Sequence, residues 1–201
     1  MEYESFKNQN AEWPQDGRHI MAHYDDVHIV VYQAYRHSIA DYALTHQQFG
    51  GDFSFSRMSW IKPNFLWMMF RSGWAGKEGQ ERILAITLQR TFFDRLLAAA
   101  VASGFQGSGF DSKEAWQSAV AGSDVRLQWD PDHDPFGMPV QRRAIQLGLR
   151  GATLEEYGTS AIVRIEDMMG FVKEQHAHVA GDCEDLILPR ERAYVPHGEV
   201  P

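Results

Sequence analysis

The stretch VHIVVYQAY, residues 27–35, decides the fold, because it is dense in β-branched and aromatic side chains. That composition predicts a buried strand. The chain continues as RHSIADYALTHQQF, residues 36–49, whose apolar residues recur at roughly helical spacing and are followed by Gly50 and Gly51. The sequence therefore predicts a strand that passes directly into a helix, which the two glycines end.

Strands and helices alternate through the rest of the chain. Further strands are predicted at residues 81–89, 125–129 and 160–168. Further helices are predicted at residues 63–72, 91–103, 111–121 and 139–151, and after the last strand. The helix at 111–121 opens with a capping box of Asp111 and Glu114, and the helix at 139–151 has a proline at its start and a glycine at its end. Residues 130–139, DPDHDPFGMP, are expected to form a loop because three of them are Asp and three are Pro.

These elements predict an α+β fold in which a small, central, mostly antiparallel sheet is flanked by helices. A chain of 201 residues that is 44% hydrophobic can bury one sizeable core. We expect one globular domain over residues 26–190, an N-terminal arm over 1–25 and a C-terminal tail over 191–201. The single cysteine, Cys183, and the polar first twenty residues predict a cytoplasmic protein. No apolar run approaches the roughly 20 residues that a membrane span needs.

Positive charge is concentrated in one block of an acidic chain. The formal net charge is −8, which disfavours diffuse binding to nucleic acid. Residues 54–95 nevertheless carry seven Lys or Arg and three Asp or Glu, a local net charge of +4. A second cluster, Arg142, Arg143 and Arg150, has no acidic residue within residues 140–150. The distribution favours an anionic ligand that approaches a restricted face.

The block also contains residues suited to holding a nucleotide. Arg offers a rigid donor fork for phosphate, Lys a point charge and Trp a flat face for stacking. There are three phosphate-binding candidates. Arg57 and Lys62 lie before a predicted helix whose N-terminal amides also favour anions, and Arg71 lies at the far end of that helix. The predicted ligand-binding residues of this block are Ser59, Trp60, Lys62, Arg71 and Lys77. The alternative is that the aromatic residues are core and the cations pair with nearby acids.

Two clusters could bind a metal ion, but neither has a specific pattern. Asp130, Asp132, His133 and Asp134 lack the glycine and the distal Glu of a calcium loop, and turn chemistry explains them. The second cluster comprises His176, His178, Asp182 and Cys183, and it lacks the paired spacing of zinc sites. We therefore expect no metal, and a metal-assisted hydrolase centred on Asp130, Asp132 and His133 is the third functional hypothesis. The chain also lacks a Walker loop, a GxSxG elbow and a dinucleotide fingerprint.

Several blocks of the sequence resemble one known family. The blocks are VYQAYRHSIADYAL, FSFSRMSWIKPNFLWMMFRSGWAGKEGQERILAI, LQWDPDHDP and RRAIQLGLRG. They resemble the successive blocks of the domain of unknown function 4291 family over most of residues 27–172. That name carries no established activity, so the resemblance implies kinship and not a mechanism.

A more distant resemblance is to NAD-dependent ADP-ribosyltransferases that modify nucleic acids and to tRNA 2′-phosphotransferases. It implies an ADP-ribosyltransferase-like fold, NAD as the cofactor, and a nucleotide or nucleic acid, RNA or DNA, as the partner. In such folds a first-strand residue and later basic or hydroxyl residues hold NAD, and the resemblance puts Gln33, Tyr35 and Arg36 in the first position and Arg57 and Ser59 in the second.

The catalytic residues implied by the resemblance are Gln33, Arg57, Gln146 and His133. Gln146 stands where such enzymes often have a Glu that orients the acceptor, and Gln cannot act as a general base. Catalysis would then rely on positioning and charge stabilisation. The leading hypothesis is an NAD-dependent transferase acting on a nucleotide or nucleic acid, and the alternative is a non-catalytic module that binds a nucleotide or an RNA end.

Overall fold

The computed structural model describes residues 1–181 and 183–196 and combines helices with mostly antiparallel strands. The strands are β1 (Tyr3–Ser5), β2 (Met21–Ala22), β3 (His28–Tyr35), β4 (Ser59–Ile61), β5 (Arg82–Gln89), β6 (Val101–Ala102), β7 (Val125–His133), β8 (Pro139–Leu149), β9 (Ile162–Asp167), β10 (Ile187–Pro189) and β11 (Arg192–Ala193). The helices are α1 (Phe6–Glu12), α2 (His37–His46), α3 (Phe65–Ser72), α4 (Arg90–Ala99), α5 (Lys113–Gly122), α6 (Gly151–Gly158) and α7 (Met169–Val179). The predicted α+β class in a single domain is confirmed.

Two sheets form the centre of the fold. One has the strand order β3-β5-β9 and is antiparallel throughout. The other has the order β4-β8-β7-β6, and only the β6–β7 pair is parallel. The sheets meet where the backbone N–H of Tyr32 donates to the carbonyl of Lys62 at 2.7 Å. This link places the end of β3 against the segment that follows β4.

Both faces of β3 are buried, which explains why its sequence is almost continuously apolar. Ile29 and Val31 face one hydrophobic cluster, which also contains the α4 residue Phe93. Val30 and Tyr32 face the other cluster, to which α3 contributes Phe65. Helices therefore cover β3 and its partner β5 on both sides.

The short helix α3 begins two residues later than predicted and ends at the predicted residue, Ser72. Asn64 caps its N-terminus, since the side chain accepts a hydrogen bond from the Trp67 N–H at 2.6 Å. Gly73 adopts the left-handed conformation that ends it. Most of its residues are buried, as expected for a helix that is apolar on every side. Because α3 is capped at both ends and mostly buried, it holds the segment from Lys62 to Arg71 in place.

The prediction of a helix at residues 139–151 is wrong, because residues 139–149 form strand β8. This strand pairs along its length with β7 and at its end with β4, so long-range pairing overrides the local proline and glycine signals. The buried Arg142 hides the alternation of a strand, because an ion pair with Asp132 lets it occupy an inward position. Gly148 lies under β4, where an added Cβ would stand 2.7 Å from the Met58 sulfur.

The predicted loop at residues 130–139 is much shorter than expected. Strand β7 continues through His133, which pairs with Pro139. Only the residues between β7 and β8 form the turn, and the Asp134 side chain accepts hydrogen bonds from the N–H groups of Phe136 and Met138. The Asp and Pro signals were local, whereas the strand is set by its partner.

Further helix boundaries also differ from prediction. The helix predicted at residues 91–103 ends at Ala99, and Val101–Ala102 form β6. The N-cap of α5 is Ser112, whose hydroxyl accepts from the Ala115 N–H, and not Asp111. Helix α2 ends before the two glycines, with Gln47 in the left-handed conformation. No helix in the described ranges is long and apolar enough to cross a membrane.

The N-terminal segment packs against residues 187–194. Strand β1 pairs with β10 and β2 pairs with β11, so the predicted N-terminal arm and the start of the predicted tail form regular structure. The Trp13 indole donates to the Glu191 carbonyl at 2.9 Å, and Tyr194 is buried. Residues 197–201 of the predicted tail lie outside the described residues.

Candidate functional site

A cavity of about 550 Å³ opens where the two sheets meet. Seven of the predicted site residues line it: Gln33, Tyr35, Ser59, Trp60, Lys62, Arg71 and Gln146. Its other lining residues are Ala34, Met58, Trp67, Met68, Gln80 and Gln128. The lining includes two cations and no carboxylate, although the protein as a whole is acidic. Strand β3, strand β4, helix α3 and the β7–β8 pair supply most of these side chains, and Met58, Lys62 and Gln80 come from the segments next to β4 and before β5.

Lys62 is the most unusual residue of the cavity. It is 4% exposed, and its ammonium lies 4.8 Å from the centre of the Trp67 ring. Burial, with repulsion from Arg71 as a smaller cause, lowers the pKa of Lys62 from 10.5 to about 7, and the nearby Asp130 opposes this shift. Within residues 1–181 and 183–196, its amine makes no hydrogen bond or ion pair. The cavity therefore contains a desolvated amine that an anion would satisfy.

Two further donors near Lys62, on Arg71 and Trp67, are also open to a ligand. Arg71 is exposed at the end of α3, and its side chain makes a long hydrogen bond of 3.4 Å to the Gln80 amide oxygen. The Trp67 indole nitrogen is buried and has no partner in the described part of the chain. Buried indole N–H groups normally find an acceptor. Its isolation points to an acceptor that those residues do not supply.

A hydrogen-bonded network fixes the part of the cavity that β3 and β4 form. The Tyr157 hydroxyl donates to Oε1 of Gln33 at 2.6 Å, and Nε2 of Gln33 donates to the Ser59 hydroxyl at 2.8 Å and to the Trp60 carbonyl at 3.1 Å. Gln33 thus ties the two sheets together. Burial raises the pKa of Tyr35 and of Tyr157, so both phenols stay neutral.

The same network leaves one donor for a ligand. The hydroxyls of Tyr35 and Ser59 lie 3.0 Å apart and share one hydrogen bond. Ser59 already accepts from Gln33, so the two hydroxyls have two hydrogens and one mutual bond. One hydroxyl hydrogen is therefore available at the cavity surface. A phosphate, carbonyl or ribose oxygen could accept it.

Gln128 and Gln146 line the part of the cavity that β7 and β8 form, and both side chains donate to Asp130. Nε2 of Gln146 donates to one Asp130 oxygen at 2.6 Å, and Nε2 of Gln128 donates to the other at 2.7 Å. The two glutamines face each other across the β7–β8 ladder. Because the Gln146 amide nitrogen is engaged, its carbonyl oxygen is the remaining polar atom of that side chain. Asp130 thus orients the glutamines and is not itself among the lining residues.

Comparison with known families is decisive for kinship. The family model described as domain of unknown function (DUF4291) matches residues 19–194. The chain belongs to the DUF4291 family. No curated protein matches it. The family description assigns no activity, so a functional conclusion for this DUF4291 chain depends on the cavity.

Four predicted site residues of the DUF4291 chain lie outside the cavity lining. Arg36 pairs with Asp52 at 3.1 Å. Arg57 is exposed in the segment before β4. The Lys77 ammonium donates to the carbonyl of Arg71 at 2.7 Å, so it caps the C-terminus of α3. These side chains therefore serve the surface and the helix end in this structure.

His133 is the fourth. Its ring stacks on Phe70 with the ring centres 3.5 Å apart, and burial lowers its pKa. It lines a separate cavity of about 30 Å³. His133 is therefore not among the residues that line the cavity of Lys62 and Arg71.

The two clusters considered for metal binding in the DUF4291 chain are dispersed. The described residues contain no group of three or more His, Cys, Asp or Glu placed to hold a metal ion. Asp132 pairs with Arg142, with a nitrogen–oxygen distance of 2.6 Å, while Asp130 and Asp134 bond to glutamines and to the turn. In the other cluster, His176 stacks on Trp74, Cys183 is buried and Asp182 lies outside the described residues.

Sequence reasoning missed four residues that build the site of this DUF4291 chain. Gln80 and Gln128 carry no charge pattern, Trp67 was not among the named candidates, and Tyr157 lies on α6, far from the basic block in sequence. Gln128 could have been found by recognising β8 as a strand, because pairing with β7 places it opposite Gln146. No sequence signal identifies Tyr157.

Proposed function

We propose that the cavity binds NAD or a related nucleotide and that the protein is an ADP-ribosyltransferase-like enzyme acting on a nucleotide or nucleic acid. One observation carries this proposal. The cavity of an acidic protein is lined by Lys62 and Arg71 without any carboxylate, and Lys62 is buried with no hydrogen bond or ion pair to the described part of the chain. Burying an uncompensated cation is costly unless a ligand supplies the opposite charge.

The dimensions and donors of the cavity support a nucleotide. Small-molecule sites usually have volumes of about 300–1,000 Å³, a range that includes this one. Lys62 and Arg71 would hold phosphate oxygens, and the Trp67 N–H would donate to a further oxygen. Trp60 is half-buried on β4 and would offer its ring to a base or to nicotinamide.

The proposed transfer breaks the bond between the nicotinamide nitrogen and C1′ of the ribose. A new bond forms between C1′ and an oxygen or nitrogen of the acceptor. Nicotinamide leaves as a neutral base with the electron pair of the broken bond, and the proton of the acceptor passes to the solvent. Gln146 would orient a ribose or acceptor hydroxyl through its amide oxygen, since Asp130 holds its nitrogen. Catalysis would then rely on positioning and electrostatics.

A second candidate, a module that binds a nucleotide without turning it over, is favoured by two observations. The described residues that line the cavity provide no carboxylate to stabilise positive charge on the ribose or to accept a proton. Gln33 makes three hydrogen bonds within the protein, which favours a structural role. Binding and turnover must therefore be measured separately.

The first experiment measures thermal unfolding with millimolar NAD, ADP-ribose and ATP. A ligand at about 100 times its Kd stabilises the folded state by about 2.7 kcal/mol, which raises the Tm of a protein of this size by about 5–10 °C. Lys62→Met and Arg71→Ala should lose most of this shift. Lys173→Met is the matched control, because Lys173 is exposed on α7 away from the cavity.

A second measurement separates the two candidates. Nicotinamide released from NAD is measured with RNA, DNA and free nucleotides as acceptors. Release by the wild type that Lys62→Met abolishes supports the transferase. A Tm shift with NAD or ADP-ribose without any release supports the binding module, and no shift with any of the three ligands overturns the nucleotide site.

A further inference from the structure

A second cavity, of about 430 Å³, adjoins the first. It lies between the glycine-rich segment after β6 and the β7–β8 pair, with Arg18 from the N-terminal segment at its edge. Gln128 lines both cavities, so they meet at this side chain. The Asp130 carboxylate accepts a hydrogen bond from the Gln128 amide nitrogen and so fixes this side chain at the boundary between the two cavities.

The second cavity is also cationic. Its charged lining residues are Arg18 and Arg143, and no carboxylate lines it. Neither arginine forms an ion pair within residues 1–181 and 183–196. The N-terminal segment reaches this place because the Arg143 N–H donates to the Gly17 carbonyl at 2.7 Å, so backbone pairing brings the two arginines together. In a protein of net charge −8, two guanidinium groups at one cavity without a carboxylate partner in the described ranges favour an anion.

Two buried polar atoms of the lining residues lack partners. The Trp129 indole nitrogen and the Ser108 hydroxyl are both buried and make no hydrogen bond to the described residues. The Arg18 guanidinium lies 5.9 Å from the centre of the Trp129 ring. Such atoms normally have acceptors or donors, so they indicate a polar ligand here. Donor groups of Arg, Trp and Ser together match the oxygens of a phosphate.

We propose that the second cavity binds the phosphate backbone of a single-stranded nucleic acid and so directs the acceptor nucleotide towards the first cavity past Gln128. This inference rests on the proposed function, because it gives the acceptor a place beside the nucleotide. A duplex is too wide for a cavity of this volume, whereas one or two nucleotides of a flexible strand fit it. Contacts to the backbone rather than to base edges make the predicted recognition tolerant of sequence.

The test is the fluorescence anisotropy of a short labelled RNA oligonucleotide titrated with the full-length protein. We expect Arg18→Ala and Arg143→Ala each to weaken binding about tenfold and to reduce the salt slope by about 0.7 for each phosphate that is no longer neutralised. Arg95→Ala is the matched control, since Arg95 is an exposed arginine on α4 that pairs with Glu156. The Arg18 side chain makes no hydrogen bond to the described residues, so its variant should fold like the wild type.

The outcomes separate this inference from the proposed function. Weaker RNA binding by both arginine variants, with the Tm shift by ADP-ribose unchanged, supports the second site. RNA binding that is absent, or that the arginine variants and Arg95→Ala alter equally, overturns it even if ADP-ribose still binds. Displacement of the RNA by an equal concentration of AMP also overturns it, because the cavity would then hold a mononucleotide. RNA binding that requires Arg18, without any effect of NAD or ADP-ribose, retains the site and refutes the nucleotide cavity.

Discussion

Replacing Lys62 with methionine should make the protein more stable at neutral pH. The side chain is 4% exposed, and its pKa falls from 10.5 to about 7. Because each pH unit of this difference corresponds to about 1.4 kcal/mol, holding the amine in the folded protein costs on the order of 4–5 kcal/mol near pH 7. Methionine has similar length and needs no charge solvation, but it lacks the attraction between the ammonium and the Trp67 ring. We expect a net gain of about 2–4 kcal/mol.

The pH dependence of this gain identifies its cause. Unfolded Lys62 keeps its proton up to about pH 10.5, whereas the folded side chain loses it near pH 7. Between these values the unfolded state binds more protons, so this group makes the wild type more stable as the pH rises. Lys62→Met lacks that dependence. Its advantage should therefore be greatest at or below pH 7 and should decline towards pH 10.5.

Urea unfolding of both proteins at several pH values measures the difference in free energy. The control Lys173→Met should stay within about 0.5 kcal/mol of the wild type at every pH, because its side chain is exposed. A Lys62→Met protein that is less stable than the wild type would refute the reasoning. So would a gain that does not change with pH.

Three further predictions concern ionisable groups. The affinity for ADP-ribose, measured by calorimetry, should fall by up to about tenfold per pH unit above pH 7 as Lys62 loses its proton, and a constant affinity would contradict this. Burial raises the pKa of Glu191, so the folded state keeps a proton that the unfolded state loses near pH 4.5. The wild type should therefore lose stability as the pH rises above 4.5. Glu191→Gln should keep the acceptor for the Phe65 N–H and lack this loss, so its stability relative to the wild type should increase above pH 4.5, and an increase confined to lower pH would exclude this. Arg142→Met should cost about 3–5 kcal/mol in urea unfolding, because it leaves the buried Asp132 without its cation, and a loss below about 1 kcal/mol would show that the pair is dispensable.

The sequence predicted the elements whose signals are local. Strand β3 is apolar on both faces, and a left-handed glycine, Gly73, follows α3, so composition and this end signal were sufficient. The Asn64 cap was not recognised, and the predicted start of α3 was two residues too early. Strand β8 was mistaken for a helix because its identity depends on β4 and β7, which lie far away in the chain. Its buried Arg142 looks polar in sequence and becomes an inward residue only through Asp132.

The residues of the candidate site likewise divide into those that the sequence could predict and those that depend on long-range contacts. Most of the predicted cavity residues come from β3 and the basic block, which the Tyr32–Lys62 backbone bond brings together. Arg142, Arg143 and Arg150 form one basic cluster in the sequence, but the structure gives each of them a different environment. Arg142 is buried in an ion pair, and Arg150 pairs with Asp124 and donates to backbone carbonyls near the end of α5. Arg143 donates to the Trp129 carbonyl, makes no ion pair to the described residues and lines the second cavity. Charge in sequence does not show which cation is already neutralised.

Neutralisation is the physical criterion that separates structural from functional charge here. The buried Lys, Arg, Asp and Glu side chains of the described residues are Lys62, Arg90, Arg126, Asp132, Arg142 and Glu191. Arg90 and Arg126 donate to carbonyl oxygens, Asp132 and Arg142 pair with each other, and Glu191 accepts from a backbone N–H. Lys62 is the member of this set whose side chain makes no hydrogen bond or ion pair to the described protein. A methionine would fill its space at lower cost. Retaining a lysine there is explained if an anionic ligand completes its coordination, so the same residue should limit the stability of the free protein and determine its affinity for the nucleotide.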